Sequence, residues 1–134
     1  MIYGIGTDII NINRVKEVIH TYENNFLLRF FSSNEIKESK DKRNKNLFFA
    51  ERFSAKEAFW KAVSPNNNVS INFKDVEILP YFKNTEIINL LGKTNKIFKI
   101  KEKRLNKKFK YHVTLSNAPP NVLTYVIIYL TNPK

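Results

Sequence analysis

The segment that most restricts the fold is residues 46–63, a run of 18 residues without glycine or proline that is rich in alanine, phenylalanine, glutamate and lysine. Such a composition over about five turns predicts one long α-helix. The helix should stop before residues 64–68, Ser-Pro-Asn-Asn-Asn, which favour a loop. The other elements of the chain must therefore pack around this helix.

The side chains of this helix divide into two groups when they are spaced at about 100° per residue. One side carries Ala55, Ala58, Phe59 and Ala62. A nearly opposite side carries Phe53, Glu57, Trp60 and Lys61. Because both sides hold aromatic residues, we expect other elements to cover the helix on two sides.

Both ends of the chain are predicted to form β-structure. Residues 2–10 are apolar and β-branched, are interrupted by Gly4 and Gly6, and indicate a buried first strand that ends at Asp8. Residues 111–116 and 122–130 are two β-rich segments around Asn-Ala-Pro-Pro-Asn, which predicts a hairpin. Further strands are expected over residues 69–79 and near Ile97.

Helical signals lie between these strands. Asn11 is a candidate N-cap for an amphipathic helix, and residues 32–35, Ser-Ser-Asn-Glu, favour a short second helix to about Lys40. A polar, basic loop is expected over residues 40–46, and a basic helix within residues 85–109. The order of elements predicts a small α+β fold whose mostly antiparallel sheet packs on the long helix. A length of 134 residues fits a single domain over residues 1–134.

The net charge of +11 favours an anionic partner, such as nucleic acid, a membrane surface, a phosphorylated cofactor or an acidic protein. The chain holds 18 Lys and 18 Asn but 5 Arg, which is also the bias that an A+T-rich genome produces. Residues 93–110 contain nine basic residues and one acidic one. A nucleic-acid-binding domain is therefore a competing hypothesis, although no helix-turn-helix, zinc-finger or aromatic RNA-binding motif is visible.

Several classes of protein are disfavoured. Lys, Asn or Glu interrupts every apolar run, which excludes a transmembrane segment. No secretory or transit-type leader is visible, so we expect a soluble protein of the cytoplasm or a mature protein of an organelle such as a plastid. The chain has no cysteine, and the pair Gly4 and Gly6 lacks the third glycine of a dinucleotide-binding loop.

Asp8 and Glu57 are the strongest candidates for residues that carry chemistry. Glu57 and Lys61 could form an exposed i, i+4 pair worth only about 0.3–0.5 kcal/mol to the helix, and Asp8 could cap the first helix. If the two carboxylates converge instead, they offer hard oxygen ligands of the kind that hold Mg²⁺ together with substrate phosphates. From local sequence alone both alternatives stay open.

Two blocks of the sequence resemble the signatures of holo-acyl-carrier-protein synthases. Residues 4–10, Gly-Ile-Gly-Thr-Asp-Ile-Ile, are similar to the family's G-[IL]-G-[TV]-D-[IVL] opening. Residues 52–62, Arg-Phe-Ser-Ala-Lys-Glu-Ala-Phe-Trp-Lys-Ala, resemble its R-F-x-x-K-E-A-x-x-K-A helix. Residues 112–116 and 126–128 resemble its closing hairpin, so the similarity spans essentially the whole chain.

The resemblance implies the phosphopantetheinyl transferase fold and the transfer of 4′-phosphopantetheine from coenzyme A to a serine of apo-acyl carrier protein, a step of fatty acid biosynthesis. It implies homotrimers with active sites between neighbours, and no nucleic-acid or membrane partner. A family member that has lost catalysis is a further alternative.

The resemblance also assigns roles to residues. Asp8 and Glu57 would be Mg²⁺ ligands, with Glu57 or a metal-bound water as the general base and Lys61 stabilising the leaving phosphate. Contacts with coenzyme A are expected from Arg52, Lys61, Lys93 and His112, with Lys56 a further candidate for phosphate contact. His112 could equally be a polar residue on the wet face of the hairpin, and Arg52 or Lys56 could simply pack or pair with Glu51. The acidic carrier protein would be received by Arg14 and Arg29.

The sequence departs from the family pattern in three places. Residues 64–68 replace a glycine-bearing loop, which puts its backbone contacts with phosphate in doubt. Leu47 stands where a basic residue is expected, a role that Arg43 or Lys45 could take over. Asn117 stands where an acidic residue or histidine is usual. None of these changes removes a proposed metal ligand.

Overall fold

The computed structural model describes residues 1–64, 70–79 and 88–134. In chain order the elements are β1 (Ile2–Asn11), α1 (Ile12–Tyr22), α2 (Asn24–Phe30), α3 (Ser33–Ser39), α4 (Lys45–Val63), a 3₁₀ turn (Phe73–Asp75), β2 (Val76–Ile78), β3 (Ile88–Leu90), α5 (Gly92–Leu105), β4 (Lys108–Ala118) and β5 (Asn121–Thr131). The predicted α+β class is confirmed. The predicted loop at residues 64–68 falls almost entirely outside the described residues.

The main sheet is antiparallel and has the strand order β1-β5-β4 in the described part of the chain. Strands β4 and β5 form the expected hairpin, which is longer than predicted. Helix α4 packs on one face of this sheet, and its residues Ala55, Ala58, Phe59 and Ala62 are fully buried, as the helical spacing predicted. Strands β2 and β3 pair separately.

Two glycines allow α4 to lie directly against β1. A Cβ atom at Gly4 would lie 1.8 Å from the carbonyl oxygen of Ala62, and one at Gly6 would lie 1.8 Å from that of Ala58. No side chain larger than hydrogen fits at either position, since the obstacle is helix backbone. The close approach predicted at Gly6 is therefore an approach of the protein's own helix.

The first strand differs from the sequence prediction in two respects. It is an edge strand, and its outward side chains Ile5 and Ile9 are 53% and 64% exposed, so the strand is not buried. It also continues past Asp8 to Asn11, where the Asn11 side chain caps α1 as expected by accepting from the Asn13 N–H. Asp8 thus lies inside the strand and opposite Thr124.

Other boundaries were predicted with mixed success. Ser32 and Glu35 form the expected capping box at α3, and α4 agrees to within one residue. The strand predicted near Ile97 is wrong, because this residue lies in α5. The strand predicted over residues 69–79 is reduced to Val76–Ile78 where it is described, and α2 was not predicted as a separate helix. Among the described helices, none is both long and apolar enough to cross a bilayer.

Candidate active site

Asp8 faces α4 and is held by two side chains of that helix. Its Oδ2 atom accepts a hydrogen bond from the Ser54 hydroxyl at 2.9 Å, and its Oδ1 atom accepts one from the Lys61 ammonium at 3.0 Å. Lys61 also donates to the Thr7 carbonyl oxygen at 3.0 Å. The alternative that Asp8 caps the first helix is wrong, since Asn11 makes that cap.

Glu57 is the second carboxylate on the same side of α4. It is half-buried and has no hydrogen-bond or ion-pair partner among the residues that the structure describes, because Lys61 pairs with Asp8 instead. Burial raises the pKa of Glu57, the negative charge of Asp8 raises this pKa further, and Lys61 opposes both effects. The exposed i, i+4 pair between Glu57 and Lys61 is therefore not formed.

Asp8 and Glu57 line one cavity of about 400 Å³ between β1, α1, α2 and α4. Arg14 lies at the same cavity, whose remaining walls are apolar: Ile9, Ile10, Val15, Val18, Phe26 and Phe53. The structure thus brings together both predicted metal ligands and one of the two predicted carrier-protein contacts. Aromatic contacts of Phe53 with Phe26 and Phe30 cover part of this side of α4, but Trp60 on the same side is 42% exposed, so the predicted cover on two sides is only partly confirmed.

The two carboxylates fit a hard divalent cation. Glu57 has no partner in the described part of the chain, and burial together with the negative charge of Asp8 disfavours its ionisation, so a cation between the two carboxylates would relieve their repulsion. No cluster of three or more acidic, histidine or cysteine ligands occurs in the described ranges. A metal held by Asp8 and Glu57 would therefore complete its coordination with water or substrate oxygens, as Mg²⁺ usually does.

Arg52 lies at a second cavity, of about 270 Å³, which Lys42, Arg43 and Leu47 also line. Its guanidinium stacks on Phe48 at 3.9 Å and forms ion pairs with Glu38 at 3.5 Å and Glu51 at 3.7 Å. Burial lowers its pKa, which the charges of Glu38 and Glu51 oppose. The Nε atom of Arg52 is buried and has no hydrogen-bond partner within residues 1–64, 70–79 and 88–134. Arg52 thus pairs with Glu51, the alternative to ligand contact, and it does so beside a cavity that the basic residues Lys42 and Arg43 also line.

Lys56 is fully buried, and its ammonium has no donor left for a ligand. It donates to Glu35 Oε1 at 2.7 Å, to the Phe73 carbonyl at 2.9 Å and to the Val76 carbonyl at 2.6 Å. Burial lowers its pKa, an effect that Glu35 opposes. An ammonium carries three N–H groups, so all of them are used inside the protein. The hypothesis that Lys56 contacts phosphate is therefore wrong.

The remaining predicted site residues lie apart from the Asp8 cavity. Arg29 is exposed on α2 with its guanidinium 5.4 Å from the centre of the Phe30 ring. Lys93 is exposed in the first turn of α5, where the side chain of Asp75 accepts from the N–H and hydroxyl of Thr94. Neither Arg29 nor Lys93 lines the cavity.

His112 faces away from the carboxylates within one chain. It pairs with Ile127, whereas Asp8 pairs with Thr124, and positions an odd number of residues apart on β5 point to opposite faces of the sheet. His112 is exposed on the face that α4 does not cover. Within one chain His112 and Asp8 therefore lie on opposite faces of the main sheet.

Two functional candidates were missed by the sequence analysis. Ser54 donates to Asp8, and Thr124 donates to Ser54 at 2.7 Å. Both residues are fully buried. One signal was present, since Thr124 is a lone polar residue between Val122 and Val126 on the inward face of β5.

The chain resembles proteins of one family over nearly its whole length. A family model described as the 4′-phosphopantetheinyl transferase superfamily matches residues 4–116. A holo-[acyl-carrier-protein] synthase of Zymomonas mobilis is 37% identical over 130 residues, which cover 96% of each chain. One of Clostridium beijerinckii is 38% identical over 128 residues, which cover 96% of this chain and 98% of the relative.

Solved structures with the same description have the same fold. The holo-[acyl-carrier-protein] synthase of Neisseria meningitidis matches with a TM-score of 0.80 at 25% identity, over 96% of this chain and 99% of the other. That of Helicobacter pylori, solved in complex with coenzyme A, matches with a TM-score of 0.71 at 28% identity, over 93% and 99%. These similarities extend through β1 and α4, which carry Asp8 and Glu57.

Proposed function

The chain belongs to the holo-acyl-carrier-protein synthase family of 4′-phosphopantetheinyl transferases, and we propose that it transfers 4′-phosphopantetheine from coenzyme A to a serine of apo-acyl carrier protein. The serine oxygen attacks the phosphorus that bears the pantetheine arm. The bond from this phosphorus to the bridging oxygen breaks, and adenosine 3′,5′-bisphosphate leaves. The observation that carries this proposal is that Asp8 and Glu57 line the same cavity.

Asp8, Glu57 and the neighbouring Lys61 each have a task in the proposed reaction. Asp8 and Glu57 would hold Mg²⁺, which, when bound, neutralises charge on the diphosphate. The Glu57 carboxylate takes the serine proton directly or through a water. Lys61, whose ammonium is exposed beside Asp8, neutralises charge on the departing phosphate.

Coenzyme A is proposed to contact four cationic or titratable side chains, Arg52, Lys61, Lys93 and His112. The cavity at Arg52 supports an anion site, because Lys42 and Arg43 line it and the Arg52 Nε atom lacks a hydrogen-bond partner among the residues described. Of the two residues considered as substitutes for a basic residue at Leu47, Arg43 lines this cavity and Lys45 does not, which supports Arg43. The carrier protein would approach Arg14 and Arg29, and Arg14 lies close enough to the carboxylates to share their cavity.

A homotrimer is part of the proposal. The sheet face opposite α4 exposes Ile5, Ile9 and Tyr125 by 53%, 64% and 47%, together with Leu123 and Tyr129. Contiguous apolar side chains of this kind favour a protein interface, and a second copy of this chain is the proposed occupant. Because His112 lies on this same face, assembly would give its imidazole a route to a site that another copy contributes. Sedimentation equilibrium of the wild type and of Tyr125→Glu tests the assembly, and a monomeric wild type would refute it.

The transfer itself is tested by incubating the protein with coenzyme A, Mg²⁺ and apo-acyl carrier protein, and by measuring the mass of the carrier. We expect addition of phosphopantetheine by the wild type and loss of at least about 100-fold in rate for Glu57→Gln and Asp8→Asn, since each removes a charged ligand. Transfer at near wild-type rate with normal Mg²⁺ dependence in either variant would exclude the two-carboxylate site. The proposal places this activity in fatty acid biosynthesis in the cytoplasm.

A further inference from the structure

We propose that Ser54 and Thr124 are positioning residues that fix the Asp8 carboxylate in the orientation needed to bind the metal ion. The proposal rests on the proposed function, because it takes Asp8 and Glu57 as the metal ligands. It concerns two hydroxyl groups that lie behind the site and do not line its cavity. Their role would be to set the geometry of a ligand without touching the metal or substrate.

The three side chains form one directed chain of hydrogen bonds. An ionised carboxylate only accepts hydrogen bonds, so the proton of the Ser54 hydroxyl must point to Asp8 Oδ2, 2.9 Å away. Ser54 then has no proton for Thr124 and can only accept from it. The Thr124 hydroxyl accordingly donates to Ser54 Oγ at 2.7 Å. Each hydroxyl therefore has a single consistent orientation.

The chain of hydrogen bonds joins three elements at one point. Asp8 belongs to β1, Thr124 is its cross-strand partner on β5, and Ser54 comes from α4. Both hydroxyl residues are fully buried, so water does not compete for these bonds. The orientation of Asp8 is thereby tied to the packing of the sheet on the helix.

The other contact of Asp8 cannot do the same. Lys61 reaches Oδ1 at 3.0 Å, but its side chain is 44% exposed and holds the carboxylate through a flexible four-carbon stem. Glu57 has no such support within the described residues. The site thus combines one fixed ligand, Asp8, with one adaptable ligand, Glu57, which agrees with the second task of Glu57 in proton transfer.

The test measures metal affinity directly, by Mn²⁺ binding to the folded protein in electron paramagnetic resonance titrations without substrate. Groups that orient metal ligands typically change metal affinity by about 10–100-fold. Ser54→Ala should therefore raise the Kd for Mn²⁺ by about 10-fold or more. Thr124→Val, which removes the hydroxyl at nearly constant shape, should raise the Kd for Mn²⁺ by a smaller factor. Thr124→Ser, which keeps a hydroxyl, should bind Mn²⁺ with the wild-type Kd.

The double variant separates positioning from independent effects. Since Thr124 acts only through Ser54, Ser54→Ala combined with Thr124→Val should bind Mn²⁺ as Ser54→Ala alone does. Ser39→Ala is a matched control, because it deletes another buried hydroxyl, which donates to the Ile36 carbonyl at 2.6 Å on α3. It should leave the Kd unchanged.

Three results would overturn the proposal. A Kd for Ser54→Ala within twofold of wild type, even with lowered stability in urea, would make the role of Ser54 purely structural. If the effects of the two substitutions on the Kd for Mn²⁺ are additive, Thr124 does not act through Ser54. If the wild type binds no Mn²⁺, or binds it equally well after Asp8→Asn, the metal site itself fails and this proposal fails with it. If Mn²⁺ binding is lost in Asp8→Asn but the Kd of Ser54→Ala is unchanged, the metal site stands and only the positioning role of Ser54 is refuted.

Discussion

Replacing Gly6 by alanine tests the close packing that places Asp8 against α4. The new Cβ atom would lie 1.8 Å from the Ala58 carbonyl oxygen, whereas ordinary contact begins near 3.4 Å, so β1 and α4 would have to separate by about 1.6 Å. The obstacle is the backbone of a buried helix, and no side-chain rotation can relieve the overlap. Overpacking of a core typically costs about 1–3 kcal/mol, and we expect the upper end here.

Urea and thermal unfolding measure this effect. A loss of about 3 kcal/mol corresponds to a fall in Tm of roughly 10 °C for a domain of this size. Lys16→Ala is the control, because the Lys16 side chain is exposed on α1, away from the contact of Gly6 with α4. The control should stay within about 0.5 kcal/mol of wild type. A Gly6→Ala protein equally close to wild type would refute the packing argument.

Three further predictions follow from the charged residues. At neutral pH and without metal, Glu57→Gln should be more stable to urea than wild type, because the pKa of Glu57 is raised in the folded state. Ionisation of Glu57 therefore disfavours the folded state as the pH rises from the usual pKa of 4.5 through the pKa of the folded protein. A stability advantage of Glu57→Gln that does not grow with pH would contradict this prediction. Lys56→Met should lower the free energy of unfolding by about 3–5 kcal/mol, since it leaves Glu35 buried without its cation, and unchanged urea unfolding would be the contrary result. Arg14→Glu should raise KM for the acidic carrier protein more than KM for coenzyme A in steady-state kinetics, and equal increases would argue against a docking role.

Local sequence signals were sufficient where one interaction decides the structure. Helix α4 follows from 18 residues without a helix breaker, and the cap of α3 follows from the spacing of Ser32 and Glu35. Helix α5 was partly misread because its buried positions are Thr94, Phe98 and Glu102, two of which are polar. Glu102 is buried because it accepts from Lys99, Lys108 and the Phe109 N–H, which are contacts that no periodicity of hydrophobic residues reveals.

The burial of β1 could not be predicted because it depends on sheet order. An apolar, β-branched segment has the same sequence whether its outer face meets a helix, another subunit or solvent. In this chain α4 covers the face that carries Gly4 and Gly6, and the face that carries Ile5 and Ile9 is left exposed. Composition identifies the strand, whereas tertiary structure decides which side is covered.

The sequence motif located the two carboxylates but did not distinguish the roles of the lysines. Lys56 and Lys61 are the same residue type on the same helix, yet one is fully buried and the other is 44% exposed at the ammonium-bearing side chain. The difference arises from the partner of Lys56, Glu35, which lies 21 residues earlier in the chain. A contact at this separation is set by how α3 packs on α4, which local sequence does not encode.

The adjacency of Lys56 and Glu57 explains how one helix can be held firmly and still present a free carboxylate. Neighbouring residues of a helix point about 100° apart, so when Lys56 is bound inside by Glu35 and two carbonyl groups, Glu57 must face a different direction. That direction is the cavity that it shares with Asp8. Ser54 fixes α4 from another side through Asp8, and the glycines of β1 set the distance between strand and helix. Glu57 therefore lies at the cavity half-buried and without a partner among the described residues, which costs stability when its carboxylate is ionised. A cation bound by the two carboxylates would stabilise the folded state and offset this cost.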